Sequence, residues 1–260
     1  MRRELIPVRT RVLQRAELRY RAWRYRTKHD PAEIRWLRSV LRPGETVVDA
    51  GAYRGVYTYW MRAGVGAAGE VFSFEPQPRL AESLRSCVDA FRWSNVTVVE
   101  AGLSDGAGER TLYAPGGGPT PCASLSEVRN QAGADRYVVP IETLDRFFED
   151  RSSPTPISVI KCDVEGHELE AFRGAERILA EDQPRLLFEC EARHMPDTPL
   201  DTVFDYLQSF GYRGRFFWRD QLLGMDQFDQ GAHQVHGRQP YANNFVFEVP
   251  GRPLSQSGTQ

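Results

Sequence analysis

The stretch TVVDAGAYRGVYT, residues 46–58, decides how the rest of the chain is read. Residues 46–49 form a short apolar run that ends in Asp49. A turn holding Gly51 and Gly55 follows, and a helical stretch begins at Tyr57. A nearly continuous apolar run suits a strand covered on both faces. A glycine turn between such a strand and a helix suits one step of a parallel sheet. Gly51 allows a tight turn and close approach of a ligand to the backbone, and Gly55 lets the helix begin close to the strand. Asp49 offers a hydrogen-bond acceptor above the strand end. The pattern D-x-G-x-x-x-G differs from G-x-G-x-x-G, which seats a pyrophosphate on the helix N-terminus.

Outward from this point the rhythm repeats. Apolar runs at 71–75, 96–100, 158–163 and 185–190 predict four more strands, with helices at 57–63, 79–88 and 167–180 between them. That alternation predicts an α/β fold with a doubly wound, mostly parallel sheet, whose ligands bind at the carboxyl ends of the strands. The rhythm breaks between 104 and 156. There the turn-rich run APGGGPTP (114–121) and strand-like pieces at 110–113 and 137–141 read as an insertion or hairpin edge over the site. After Pro199 an amphipathic helix carries Val203, Phe204, Leu207 and Phe210 and stops at Gly211. Residues 212–218 and 245–249 read as a final antiparallel pair. Upstream, Asp30-Pro31 opens a helix whose Ile34, Leu37, Val40 and Leu41 face a core.

Composition excludes several classes. With 260 residues, 41% hydrophobic and 26% charged, the chain is globular and can bury a core without disulfide or metal staples. No apolar run is long enough for a transmembrane segment, and the N-terminus lacks the apolar core of a secretory signal. Cys87, Cys122, Cys162 and Cys190 lie far apart without a CxxC pair, which predicts a reducing, cytoplasmic setting. The net charge of -2 hides an asymmetry. Residues 1–42 hold 13 basic and 4 acidic groups, a net of +9, and the remainder holds 20 basic and 31 acidic groups, a net of −11. Residues 10–28 read as a basic helix with a thin apolar face of Val12, Leu13, Ala16 and Tyr20. Such a helix is compatible with a nucleic-acid or membrane surface; the reading adopted is a solvated leader packed against the domain. Three parts result: a leader helix over 1–29, a domain over 30–250 and a polar tail over 251–260.

The second predicted strand ends in Phe74-Glu75-Pro76, 26 residues after Asp49. An acid at that strand end is where a doubly wound fold holds a ribose diol. The densest segment is IKCDVEGHE, residues 160–168, in which an apolar strand runs into several ionisable groups and then a helix. Burying that many charges is costly unless they bind or pair. Asp163 and Glu165 sit at the strand end, and His167 starts the helix.

These residues resemble a family. DAGA (49–52) with GVYT (55–58), FEP (74–76), IKCDVEGHE (160–168), LFE (187–189) and YANNF (241–245) look like the FkbM-type S-adenosylmethionine-dependent methyltransferases. The resemblance spans about residues 30–249. It implies a class I methyltransferase fold, Rossmann-like, with a seven-stranded, largely parallel sheet and an antiparallel last strand. It also implies S-adenosylmethionine as cofactor and O-methylation of sugars or natural-product hydroxyls. Carried over by motif, Asp49, Gly51 and Gly55 would surround the methionine part, Glu75 would hold the ribose, and Ser104 and Asp105 would lie near the adenine. Arg54 departs from the family, which often has a small or apolar residue there, and the leader lies outside the shared domain.

Methyl transfer to a hydroxyl is helped by a general base. His167 is the candidate, because imidazole titrates near the working pH, with Asp163 orienting substrate or sulfonium. Asp163, Glu165, Glu189 and Glu191 could gather a hard cation. Glu189 and Glu191 stand two apart on a strand end and are expected on opposite faces, so no metal is expected. The partner expected is a small-molecule or glycan acceptor and not nucleic acid, since the arginine-rich surface has no aromatic RNA-binding signature. Two rivals stay open: a nicotinamide-dependent oxidoreductase on the same fold, and a non-catalytic cofactor-binding scaffold.

Overall fold

The structure is a computed structural model that describes residues 8–115, 119–125, 135–149 and 155–251. The centre of the turn-rich 114–121 run and nearly all of the polar tail lie outside the described residues. The chain opens with helix α1 (Val8–Arg24), a π turn (Tyr25–His29) and α2 (Pro31–Val40). Strand β1 (Thr46–Ala50), α3 (Val56–Val65), β2 (Glu70–Phe74), α4 (Pro78–Phe91) and β3 (Val96–Val99) follow. An insert holds β4 (Gly102–Leu103), β5 (Gly108–Ala114), β6 (Asp135–Glu142) and α5 (Leu144–Phe147). The second half runs β7 (Ile157–Cys162), α6 (Glu168–Arg173), α7 (Glu176–Glu181), β8 (Arg185–Glu189) and α8 (Leu200–Ser209). It closes with β9 (Arg213–Trp218), β10 (Gln221–Gly224), α9 (Gln230–His233) and β11 (Asn244–Glu248).

One sheet of eight strands runs in the order β10-β9-β11-β8-β7-β1-β2-β3. Strands β3, β2, β1, β7 and β8 are parallel, and β11 joins β8 antiparallel. The period-2 alternation of side chains divides the core between the two faces. Val47, Val71, Val159, Leu187 and Val246 meet Ile34, Leu37 and Met61 on one face. Val48, Phe74, Ile160, Phe188 and Phe245 meet Phe172, Ile178 and Phe204 on the other. This arrangement leaves the carboxyl ends of β1, β2, β7 and β8 along one edge. The insert forms a separate three-stranded sheet, β4-β6-β5, with β5 and β6 antiparallel.

Three expectations are corrected. The main sheet has eight strands and not seven, because β9 turns back into β10 through Arg219 and Asp220 alone. Arg219 takes the positive φ of 56° that this short hairpin requires. The single helix expected over 167–180 is two, interrupted at Gly174 and Ala175, where the backbone passes against the Ser104 carbonyl. The leader packs against the domain, but not through its apolar stripe. Leu18 and Ala22 are the buried residues, Gln14 donates to Ser86 at 2.7 Å, and Arg15 donates to the Ala90 carbonyl at 2.6 Å. Val12, Leu13 and Tyr20 face solvent. The inner face was obscured because its anchors are largely arginine and glutamine, whose stems cover apolar surface while their heads bond to α4.

This packing is directly testable. Leu18→Ala should cost about 2–4 kcal/mol in urea unfolding, as a fully buried leucine does. Val12→Ala should change stability by less than about 0.5 kcal/mol. Equal costs would place the packed face elsewhere.

Candidate active site

Two clefts open at the carboxyl edge of the parallel strands. The first encloses about 720 Å³, its mouth included. Its walls are apolar where Phe74, Leu103, Leu112 and Leu125 meet, and acidic where Glu75, Asp163 and Glu165 enter. The insert closes over it. Gln77 exchanges two hydrogen bonds with the Thr120 backbone, at 2.8 and 3.0 Å, and the Ser124 hydroxyl donates to the Glu165 carbonyl at 2.6 Å.

Glu75 is held rigidly. One carboxyl oxygen accepts from the Tyr53 N–H at 2.8 Å and the other from the Gln77 N–H at 2.9 Å. Burial pushes its pKa up to about 7, against the pull of those N–H groups. Tyr53 reaches this position through a left-handed backbone, φ 46°. Gly51 lines the same cleft at φ 77°, and a Cβ there would collide with the Asp163 carbonyl oxygen. Its bareness therefore lets the β1 turn lie against the end of β7, a constraint of the fold as much as of any ligand. Gly55, at φ 75°, packs against Leu84 of α4 and is not part of the cleft wall.

The remaining expected residues lie apart from the cleft wall. Asp49 is buried beneath the turn and accepts from the Thr58 hydroxyl at 2.6 Å; burial raises its pKa. Ser104 hydrogen-bonds His167 Nε2 at 2.9 Å and donates to Asp105 at 3.0 Å, and Asp105 pairs with Arg110 at 2.8 Å. His167 is buried, with Nδ1 3.5 Å from Glu170. Burial holds its pKa below the ordinary histidine value. It lines neither cleft, and the turn into α6 aims its ring at Ser104. Ala101, Gly102 and Leu103 form the wall where Ser104 and Asp105 were expected.

The second cleft is larger, about 1470 Å³ with its mouth, and strongly polar. Glu189, Glu191, Arg193, Tyr241, Asn243 and Asn244 line one side; Lys28, His29, Asp30 and Glu33 line another. Glu189 and Glu191 do not diverge as expected. β8 ends at Glu189, the alternation ends with it, and the two carboxyl groups share a hydrogen bond. Burial, then the Asp163 charge, raises the Glu189 pKa well above the usual carboxylate range. Burial pushes Glu191 up too, but hydrogen bonds from Arg193 and Glu189 outweigh it and hold its pKa low. Tyr241 and Asn243 also donate to Glu191, at 3.1 and 3.3 Å. Among the described residues no group of three or more acidic, histidine or cysteine side chains has the arrangement of metal ligands.

The clefts meet at the ends of β7 and β8. Cys162 pairs with Phe188, which brings the next residues, Asp163 and Glu189, side by side. Lys161, 2% exposed, bonds Asp163 at 2.8 Å and sits 4.9 Å from the Tyr57 ring centre. Burial alone would lower the lysine pKa, but the Asp163 carboxylate raises it above the ordinary value. Tyr57 in turn donates to Asp30 at 2.9 Å. Sequence reasoning missed Tyr25, which lines the first cleft from outside the motif-bearing domain and carries no motif. It also missed the Glu189–Glu191 pair, for which the spacing of two pointed the wrong way.

A parallel sheet in this strand order, a glycine turn after β1, an anchored acid after β2 and an antiparallel final strand together define a class I methyltransferase fold. The family model for the methyltransferase FkbM domain matches residues 49–213, and the chain belongs to that family. It is similar in structure to the methyltransferase FkbM of Methylobacillus flagellatus KT, at 18% identity and a TM-score of 0.50. That match covers 92% of this chain and 57% of the other, so the chain spans little more than half of that relative. It is also similar to a putative methyltransferase from Streptococcus mutans in complex with S-adenosylhomocysteine, at 12% identity and a TM-score of 0.48, covering 83% of this chain and 94% of that one. No curated protein sequence matches the chain. No described helix is long and apolar enough to cross a membrane.

The loop after β7 supplies a pH prediction. Glu168 is fully buried, and its Oε1 accepts from the Val164 and Gly166 N–H groups at 3.2 and 3.1 Å. Burial pushes its pKa up to about 8, from the ordinary 4.5. A carboxyl whose pKa is raised in the folded state binds more protons folded than unfolded, so stability is lost as pH rises through that window. Unfolding free energy should fall between pH 5 and 9. In Glu168→Gln that fall should shrink by at least about 1 kcal/mol. An unchanged slope would mean that Glu168 is not the titrating group.

Proposed function

We propose that this protein is an S-adenosylmethionine-dependent O-methyltransferase whose acceptor is a sugar or a similarly hydroxyl-rich natural product. The observation that carries the reading is the adjacency of two unlike clefts. One is apolar with an anchored acid, and the other is lined by carboxylates, amides and cations, with Asp163 and Glu189 side by side between them. The donor set of the first fits an adenosyl sulfonium. Glu75 is a fixed acceptor for a ribose diol, the Phe74, Leu103 and Leu112 walls suit a purine, and Asp163 suits a cationic centre. When bound, the cofactor supplies an electrophilic methyl group on a sulfonium.

The chain's own residues supply binding, alignment and a proton acceptor. Glu75 and Gln77 fix the first cleft, while Asn243, Asn244, Tyr241 and Arg193 offer donors and acceptors to a polyol in the second. Alignment supplies much of the rate, because the leaving group is already good. The acceptor hydroxyl gives its proton to Glu189, whose raised pKa makes it a stronger base than an ordinary carboxylate. Glu191, held ionised by Arg193, accepts the hydrogen bond that the protonated Glu189 then donates. This assignment replaces His167, which hydrogen-bonds Ser104 away from both clefts.

Calorimetry tests the cofactor. The protein should bind S-adenosylhomocysteine and not NAD, and Glu75→Ala should weaken binding at least about tenfold, the loss of one charge-assisted hydrogen bond or more. Tight NAD binding would favour the oxidoreductase, and S-adenosylhomocysteine binding without methyl transfer to any acceptor would favour the non-catalytic scaffold. Against a panel of sugars, Glu189→Gln should lower turnover by about a hundredfold, remove the rise of rate with pH and spare cofactor affinity. His167→Ala should keep that rise. The reverse pattern would return the base to His167.

A further inference from the structure

We infer that the outward face of α1 is a docking surface for an anionic lipid bilayer. Leu13, Ala16, Tyr20 and Trp23 recur at spacings of three, four and three residues, which puts them on one side of a helix, with Val12 beside them. The opposite side, through Leu18 and Ala22, is the one that packs on the domain. Val12, Leu13, Tyr20 and Trp23 are 51–59% exposed, and with Val138 they are the large hydrophobic side chains left open among the described residues. Four of those five thus fall on one helix face. The Tyr20 and Trp23 rings stack at 6.0 Å, forming one aromatic plate on the surface. Contiguous exposed apolar surface of this kind marks an interaction site.

Charge decides the occupant. Residues 1–42 carry a net of +9 within a chain whose remainder is net −11. Arg24 flanks the apolar stripe and is exposed, and Arg19 flanks it on the other side with its guanidinium 5.6 Å from the Phe91 ring centre of α4. Tryptophan and tyrosine favour the level of lipid headgroups, where one side of the ring is apolar and the other wet. Flanking arginines meet anionic headgroups at the same depth. A nucleic acid would call for arginine at the centre of the outward face, where α1 presents Ala16, Tyr20 and Trp23. The helix is therefore built to lie in the surface of a membrane and not to cross it, in line with its charge and its 17 residues. Through the π turn that follows, it connects to Tyr25 in the wall of the first cleft and to Lys28 and His29 in the wall of the second.

Sedimentation of the full chain with vesicles tests this. Vesicles of phosphatidylcholine with about a third phosphatidylglycerol should carry the protein down, and pure phosphatidylcholine should not. Binding should weaken on raising salt from about 0.05 to 0.5 M. The double variant Leu13→Glu, Trp23→Glu should lose at least tenfold in vesicle affinity while keeping the wild-type melting temperature, since both residues are exposed. Trp23→Ser alone, the milder change, should lose severalfold. Failure of the wild type to bind anionic vesicles overturns the proposal, as does unchanged binding in both variants. A wild-type dimer that the variants convert to monomer, without vesicle binding, overturns it in favour of a second copy. Binding of RNA without vesicles overturns it in favour of a nucleic acid.

Discussion

The buried ammonium of Lys161 holds the site together. It lies in β7, paired in register with Asp49 of β1 and Leu187 of β8, and its nearest carboxylate is Asp163 at the end of its own strand. Asp49 and Glu189 also feel its charge. Three carboxyl groups converging at neighbouring strand ends would repel one another where burial weakens the screening by water. One desolvated cation among them makes that gathering tolerable, and the Tyr57 ring face adds a further favourable contact. Removing either partner of such a pair leaves an uncompensated buried charge, typically at a cost of about 3–5 kcal/mol. Asp163 and Glu189, proposed to face the sulfonium and to take the proton, are thus set by one lysine, one of only two in the chain.

From this centre the two clefts acquire different characters. Toward β2 the walls are the apolar ends of strands and the underside of the insert, with Glu75 as a fixed acceptor. Toward β8 the strand itself ends at Glu189, the alternation of side chains lapses, and Glu189 and Glu191 turn toward each other. The pair is thereby made unequal: Glu191 is held ionised, while Glu189 has the raised pKa of a group able to take up a proton. The difference comes from surroundings: Arg193 reaches Glu191, while Glu189 faces the Asp163 charge.

Much of the fold was legible because strands buried on both faces write themselves as apolar runs. VVD, VFSF, VTVV, SVIK and LLFE each mark a parallel strand within one or two residues of its observed ends. The β9–β10 hairpin was not legible, since its turn is Arg219-Asp220 and lacks the glycine or asparagine that usually announces one. In the candidate site, Glu75, Gly51 and Asp163 meet in one cleft because strand ends are near one another by construction. His167 could not be placed from sequence. Whether a residue at a helix start faces a cleft or the body depends on a few backbone angles, here those following Glu165 at φ 57° and Gly166 at φ 90°. The leader's inner face was hidden for another reason: hydrophobic periodicity finds apolar stripes, and here the stripe points away from the body.

The π turn at Tyr25–His29 has a bearing on where this unit begins. The family match starts at residue 49, yet the walls of the clefts start at residue 25. A boundary drawn by shared ancestry and one drawn by physical enclosure therefore differ by some two dozen residues. Any exchange of acceptor preference between relatives by grafting would have to move the helix and turn along with the sheet, or graft a site with one wall missing.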